Sequence, residues 1–254
     1  MSKRKVAAII QARMASSRLP GKVLTQLGHQ PALEWMIKRA GRAKLIDQVI
    51  VATTNDPSDD VVEQFCAEKN TTCVRGDMFD VLDRVYQAAK QNQADVVVRL
   101  TGDCPFIDPE MLDDLVGVFL EVEPQLDFAA NRLPMERTIQ IGLDAEICTF
   151  DALEKAWQDT TDKHHREHVM PYFYENPEIF NILHLKHDPD YGHMRWTLDT
   201  AEDLVMLRKV VDYFDGRDDF SWLQVLDLLE ENPEIQKINL DVRHKDYREV
   251  DDRK

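Results

Sequence analysis

The four cysteines, Cys66, Cys73, Cys104 and Cys148, are scattered and form no C-x-x-C pair, a pattern that fits reduced thiols better than a disulfide framework or a zinc site. No stretch of the 254 residues is apolar for long enough to cross a bilayer. The opening "MSKRK" runs straight into a five-residue apolar segment, too short for a signal peptide. No G-x-G-x-x-G motif, internal repeat, low-complexity segment or Pro/Gly linker is present. Positive charge is scarce as well: the formal net charge is −16, which argues against nucleic acid and against an anionic membrane surface as partners. The expectation is a soluble, cytoplasmic protein folded as one domain over residues 1–254.

The scarce positive charge is concentrated. From residue 1 to 44 the only carboxylate is Glu34, against ten lysines and arginines. Three of these, Arg13, Arg18 and Lys22, stand in "QARMASSRLPGKV" (11–23) among small and turn-forming residues. A local cationic site on an acidic body points to a small anionic ligand.

Short β-branched runs alternate with amphipathic segments. Strands are expected at 6–10, 48–53, 72–74 and 95–101, and helices at 32–44, 58–69, 79–92 and 109–121. This rhythm predicts βαβ units and a mostly parallel α/β sheet. Beyond residue 125, strands are expected at 126–131, 143–149, 180–186 and 194–199. Helices are expected at 150–158, 166–176, 201–214 and 221–232, followed by a polar, loose tail over 241–254. The later strands read as a mixed extension of the same sheet, with an excursion around 150–190.

A cationic turn directly after the first strand lies at the carboxyl edge of a parallel sheet, where such folds bind ligands. Turn N–H groups and arginine forks suit phosphate. The turn is not a P-loop, since Val23 follows Lys22 where Ser or Thr is required. Asp103, just past the fourth strand in "TGDCP", and Asp199, before a helix in "MRWTLDT", stand where hard oxygen ligands could hold a cation beside those phosphates. Thr200 and Asp203 make the better capping pair, which leaves Asp199 free for such a role.

"QARMASSRLPGK" resembles the nucleotide-binding motif of the sugar-acid cytidylyltransferases, the 3-deoxy-manno-octulosonate and acylneuraminate group, and most closely the branch named for spore-coat polysaccharide biosynthesis. "GDMFDVLDRVYQAA", "VRLTGDCPFIDP", "GLDAEI", "REHVMPY" and "RWTLDTAEDL" resemble further blocks of that branch, in order. The resemblance implies a Rossmann-like nucleotidyltransferase fold and cytidylyl transfer from CTP to an acidic sugar, with pyrophosphate released. It implies that Gln11, Ala12, Arg13, Ser16, Arg18, Lys22, Arg75 and Arg84 bind the nucleotide, with Arg13, Lys22 and Asp103 catalytic. Asp103 and Asp199 become the magnesium-binding pair, and a homodimer formed through 150–190 is the family habit. Asp144, Glu146, Arg166 and His168 are placed near the acceptor sugar, although edge-strand or structural roles fit those four residues equally well. "HHREH" formally satisfies H-x-x-E-H through His164, Glu167 and His168, but no third ligand accompanies it. A glycosyltransferase of related fold, transfer of another nucleotide, and a non-catalytic nucleotide binder are the competing readings.

Overall fold

The structure, a computed structural model, describes residues 3–122, 125–133 and 136–244. Its centre is a seven-stranded sheet in the order β11-β7-β10-β6-β1-β4-β5. The strands are β1 (Val6–Gln11), β4 (Gln48–Thr54), β5 (Thr72–Gly76), β6 (Val96–Thr101), β7 (Phe128–Ala130), β10 (Glu146–Thr149) and β11 (Ile182–His184). Two small hairpins lie outside it, β2 (Gln26–Leu27) with β3 (Gln30–Pro31), and β8 (Arg132–Leu133) with β9 (Glu136–Arg137). Only β10 runs against its neighbours; the other sheet pairings are parallel. The expected mixed extension of a mostly parallel sheet is therefore present.

The buried strands separate two apolar layers through their alternation. Ala8, Ile10, Val96, Val98 and Leu100 face α1 (Ala32–Ala40), α2 (Asp60–Glu68) and α4 (Pro109–Glu121). Ala7, Ile9, Ile50, Ala52 and Val97 face α3 (Val81–Gln91) and α5 (Phe150–Asp159). A period of two with both faces covered is why these strands read as continuous apolar runs. A third cluster, built on Trp35, Phe106, Trp196 and Phe220, joins α8 (Ala201–Tyr213) and α9 (Trp222–Glu231) to α1 and to the segment after β6. The buried Arg39 guanidinium ties this cluster down by donating to the carbonyls of Phe106, Ile107, Asp218 and Phe220.

Two expectations need correction. Residues 194–199 do not form a strand; the segment makes a single bridge, Ile141 with Arg195. Its backbone groups instead bond to a turn: Ile141 N donates to Met194 O (2.9 Å) and Trp196 N to Ile141 O (2.6 Å). The helix expected over 166–176 is broken into α6 (Lys163–His168) and α7 (Pro171–Tyr174) at Val169, whose φ is 68° and which precedes Met170-Pro171. Of the expected loose tail, residues 245–254 lie outside the described residues.

Chain order sets the location of the site. From β1 the chain builds outward through β4 and β5, then returns to place β6 on the other side of β1. The loops leaving β1 and β6 thus diverge from adjacent strands, the arrangement that opens a ligand crevice in α/β sheets.

Gly142 holds the 139–143 turn against the segment that leads to Asp199. Its φ is 112°, and a Cβ there would lie 2.6 Å from the Trp196 carbonyl carbon. Gly142→Ala is expected to lose about 2–4 kcal/mol of stability from backbone strain and overpacking. Urea denaturation tests this, and an unchanged midpoint would show that the close approach is not a constraint.

Candidate active site

The loop after β1 is closed on itself before any ligand is considered. Gly21, at φ 72°, donates its N–H to Met14 O at 2.9 Å and opens a short 3-10 turn at Lys22–Leu24. The buried Asp59 accepts from Met14 N at 2.6 Å and from the Thr54 hydroxyl, pinning the loop to the end of β4. Gly102 lets the β6 loop approach: its N–H donates to Gln11 O at 2.8 Å, and a Cβ on it would stand 2.7 Å from that oxygen. One carbonyl then joins the third segment. Asp103 O accepts from Leu198 N at 2.7 Å and from the Thr197 hydroxyl at 3.0 Å.

These constraints bring Asp103 and Asp199 to one cation. The Lys22 ammonium donates to Asp103 Oδ2 at 2.6 Å and to Asp199 Oδ1 at 2.5 Å. Arg18 Nη2 stands 2.9 Å from Asp199 Oδ2. Burial opposes charge on Lys22, but the two carboxylates outweigh it and hold the ammonium above its ordinary range. Burial likewise opposes ionisation of Asp103, yet Lys22 and local hydrogen bonds lower its carboxyl to about 2.

Arg195 and Asp203 support Asp199 from behind. Arg195 is buried and donates to Asp199 Oδ2 at 3.1 Å and to both oxygens of Asp203 at 2.8 Å. Asp203 also accepts from the N–H groups of Asp199 and Thr200, in the capping box expected from sequence, and from Asn239 Nδ2 at 2.9 Å. These donors supply to the fully buried Asp203 side chain the hydrogen bonds that water would otherwise provide. Arg195 lies within a motif block, but nothing in the sequence singles it out; its partners are identified only once residues 203 and 239 are in place.

The other expected site residues are distributed around this centre. The Gln11 side chain accepts from Arg99 Nε, Ala12 is buried, and Ser16 is half-buried in the loop. Arg13 lies within electrostatic range of Arg84, which is buried below the β5–α3 turn; burial first, then Arg13, lower the Arg84 guanidinium to about 10. Arg75 is committed to α2 and the turn before it, through Thr54 O, Asp56 O, Asp60 and Glu63. Asp144 is held by a bidentate contact from Arg137, and Glu146 by Arg99. Burial opposes the Asp144 charge, while Arg137 and then Arg132 outweigh it and lower its carboxyl. Arg132 carries a buried Nε with no hydrogen-bond partner among the described residues.

Arg166 joins α6 to the start of α3 through Asp80 (2.5 and 3.0 Å), and His168 lies against His164 with the rings tilted by 56° and their centroids 4.7 Å apart. Among the described residues no three His, Cys, Asp or Glu side chains gather to hold a metal; Asp103 and Asp199 stand as a pair.

The sheet, its crossover and its loop-borne charges are those of the Rossmann-like nucleotidyltransferase fold. A family model described as cytidylyltransferase matches residues 7–239, and the chain belongs to that family. It is 39% identical over 251 residues to an uncharacterised protein of Methanocaldococcus jannaschii, covering 98% of this chain and 100% of that one. It is 32% identical to the spore coat polysaccharide biosynthesis protein SpsF of Bacillus subtilis, over 89% of this chain and 94% of the relative. The solved structure of a cytidylyltransferase from Leptospira borgpetersenii is similar at a TM-score of 0.88 and 36% identity, over 95% of this chain and 100% of that chain. No helix among the described residues is long and apolar enough to cross a membrane.

Removing the cation should leave two carboxylates facing each other. Lys22→Met is expected to destabilise the unliganded protein by about 2–3 kcal/mol near neutral pH. The folded Asp103 carboxyl lies below its unfolded value of 3.8, so its stabilising contribution is present above that value and is lost as pH falls toward 2. The gap between wild type and variant should therefore shrink in acid, as measured by urea denaturation across pH. An equal gap at acid and neutral pH would contradict the charge account.

Proposed function

We propose that this chain transfers a cytidylyl group from CTP to a hydroxyl of an acidic sugar of the octulosonate or nonulosonate type, releasing pyrophosphate. The observation that carries this reading is the contact of Lys22 with both Asp103 and Asp199 at the ligand edge of the sheet. Membership of the cytidylyltransferase family supports the reaction class. The choice of cytosine and of an acidic acceptor follows from the motif resemblance, and the same resemblance supports a cytoplasmic homodimer serving surface-glycan synthesis.

In the reaction the acceptor oxygen forms a bond to the α-phosphorus while the bond to the bridging oxygen breaks in line and pyrophosphate leaves. Catalysis of this kind is mostly positioning and charge neutralisation. Arg13, Arg18 and Lys22 would bind the triphosphate and stabilise the departing pyrophosphate, and the closed turn at Gly21 fixes the backbone of the loop that carries them. Asp103 and Asp199 suit a magnesium ion by donor chemistry: both are hard oxygen ligands, and in the unliganded chain their facing oxygens already share one positive charge. When bound, that ion would neutralise phosphate oxygens and make the attacking hydroxyl more acidic. Lys22 would then leave the carboxylates for the phosphates, while Arg195 keeps Asp199 oriented.

The test is pyrophosphate release with each nucleoside triphosphate, magnesium, and either 3-deoxy-manno-octulosonate or N-acetylneuraminate. Turnover is expected with CTP, and Asp103→Asn should reduce it about a thousandfold. Full turnover by that variant, release of a nucleoside diphosphate, or no turnover with any acid would each overturn the proposal.

A further inference from the structure

The chain does not end at α8, whose first turn supports Asp199. It continues through α9 and returns, in residues 237–244, to the back of the same site. The return is anchored by Asn239, 3% exposed, which donates its side-chain N–H groups to Arg195 O at 3.0 Å and to Asp203 Oδ1 at 2.9 Å. Five residues on, His244 Nδ1 stands 3.3 Å from Arg195 Nη1. His244 is also within electrostatic range of Arg137, Asp144 and Arg132. The arm thus carries an exposed imidazole between the guanidinium that orients Asp199 and the Arg137–Asp144 pair expected on the acceptor side.

The contact with Arg195 determines what this imidazole can offer. A guanidinium only donates, so His244 Nδ1 must accept, and the single ring proton of the neutral imidazole is on Nε2. That N–H has no hydrogen-bond partner among the described residues. Protonation of Nδ1 would lose the Arg195 contact and, on top of the cost of desolvation, add a positive charge beside Arg137, Arg195 and Arg132, which Asp144 only partly offsets. The neutral donor form is the one the surroundings favour.

We propose that the carboxy-terminal arm is part of the substrate site, and that His244 is a positioning residue that donates its Nε2–H to an oxygen of the acceptor. This rests on the sugar-acid reading above and adds to it a determinant from outside the motif blocks. Its role is to orient the acceptor hydroxyl for attack, not to remove the proton, because the ring nitrogen that could act as a base is occupied by Arg195.

Three variants and one spectroscopic readout test it on the full chain. With 3-deoxy-manno-octulosonate and CTP, His244→Ala should raise the acceptor KM about tenfold, the loss of one neutral hydrogen bond. CTP affinity by calorimetry and the thermal midpoint should stay at wild-type values. His244→Gln, which can accept from Arg195 and still donate outward, should restore the acceptor KM to within about threefold. Asn239→Ala, which releases the arm, should reproduce the KM defect together with a lower midpoint. An unchanged acceptor KM in His244→Ala, an equal loss of CTP affinity, or no rescue by Gln would overturn the inference. Nitrogen-15 NMR of the unliganded protein should show His244 as the Nε2–H tautomer, and a protonated Nδ1 would overturn the inference whatever the acceptor is. A wild-type protein inert toward every sugar acid would overturn the proposed function and, with it, the acceptor role given to His244.

Discussion

One ammonium group lying between two carboxylates is the contact on which the rest of the site depends. Asp103 and Asp199 repel each other across the site, and that repulsion is offset by a cation between them. Lys22 supplies it, and in doing so connects the loop after β1, the loop after β6 and the segment before α8. The charges that would hold a metal-bound triphosphate therefore also keep its receptor together beforehand. A ligand bringing phosphates and a divalent ion could exchange for the lysine without reversing the sign of charge anywhere in the site.

That exchange needs a rigid backing. Asp199 is gripped on one oxygen by Lys22 and on the other by Arg18 and Arg195, so withdrawal of the lysine does not leave it unsupported. Arg195 is in turn fixed by Asp203, and Asp203 by two backbone N–H groups and Asn239. Buried polar networks stabilise a single geometry only when every member is satisfied, and this one is satisfied through residues drawn from α8 and the arm beyond α9. Specificity and catalysis would thus depend on a part of the chain that lies far from the first motif in sequence.

Much of the sheet is legible in the sequence. β1 and β6 are buried on both faces, so their apolar runs declare a parallel sheet, and Lys22 after β1 meets Asp103 after β6 at its carboxyl edge. The segment 194–199 misled for a physical reason. Met194, Trp196 and Leu198 alternate with Arg195, Thr197 and Asp199, which is the pattern of a half-buried strand. The alternation is real, but Arg195 and Asp199 turn to a carboxylate network, the Thr197 hydroxyl donates to Asp103 O, and the backbone bonds to Ile141 and Asp103. Asp144 and Glu146 are each committed to an arginine, Arg137 and Arg99, a pairing the sequence does not reveal. Arg132, Asn239 and His244 carry no motif at all; their positions follow from tertiary contacts with residues distant in sequence.

The central claim is that Asp103 and Asp199 are the metal-responsive half of a single nucleotide site whose other half is the cationic loop. Calorimetric titration of CTP into wild type and Asp199→Asn, with magnesium and with the metal chelated, tests it most directly. The account expects magnesium to tighten CTP binding strongly in wild type and hardly at all in the variant, while metal-free binding, carried by the loop, stays similar in both. An equal magnesium effect in the two proteins would contradict it.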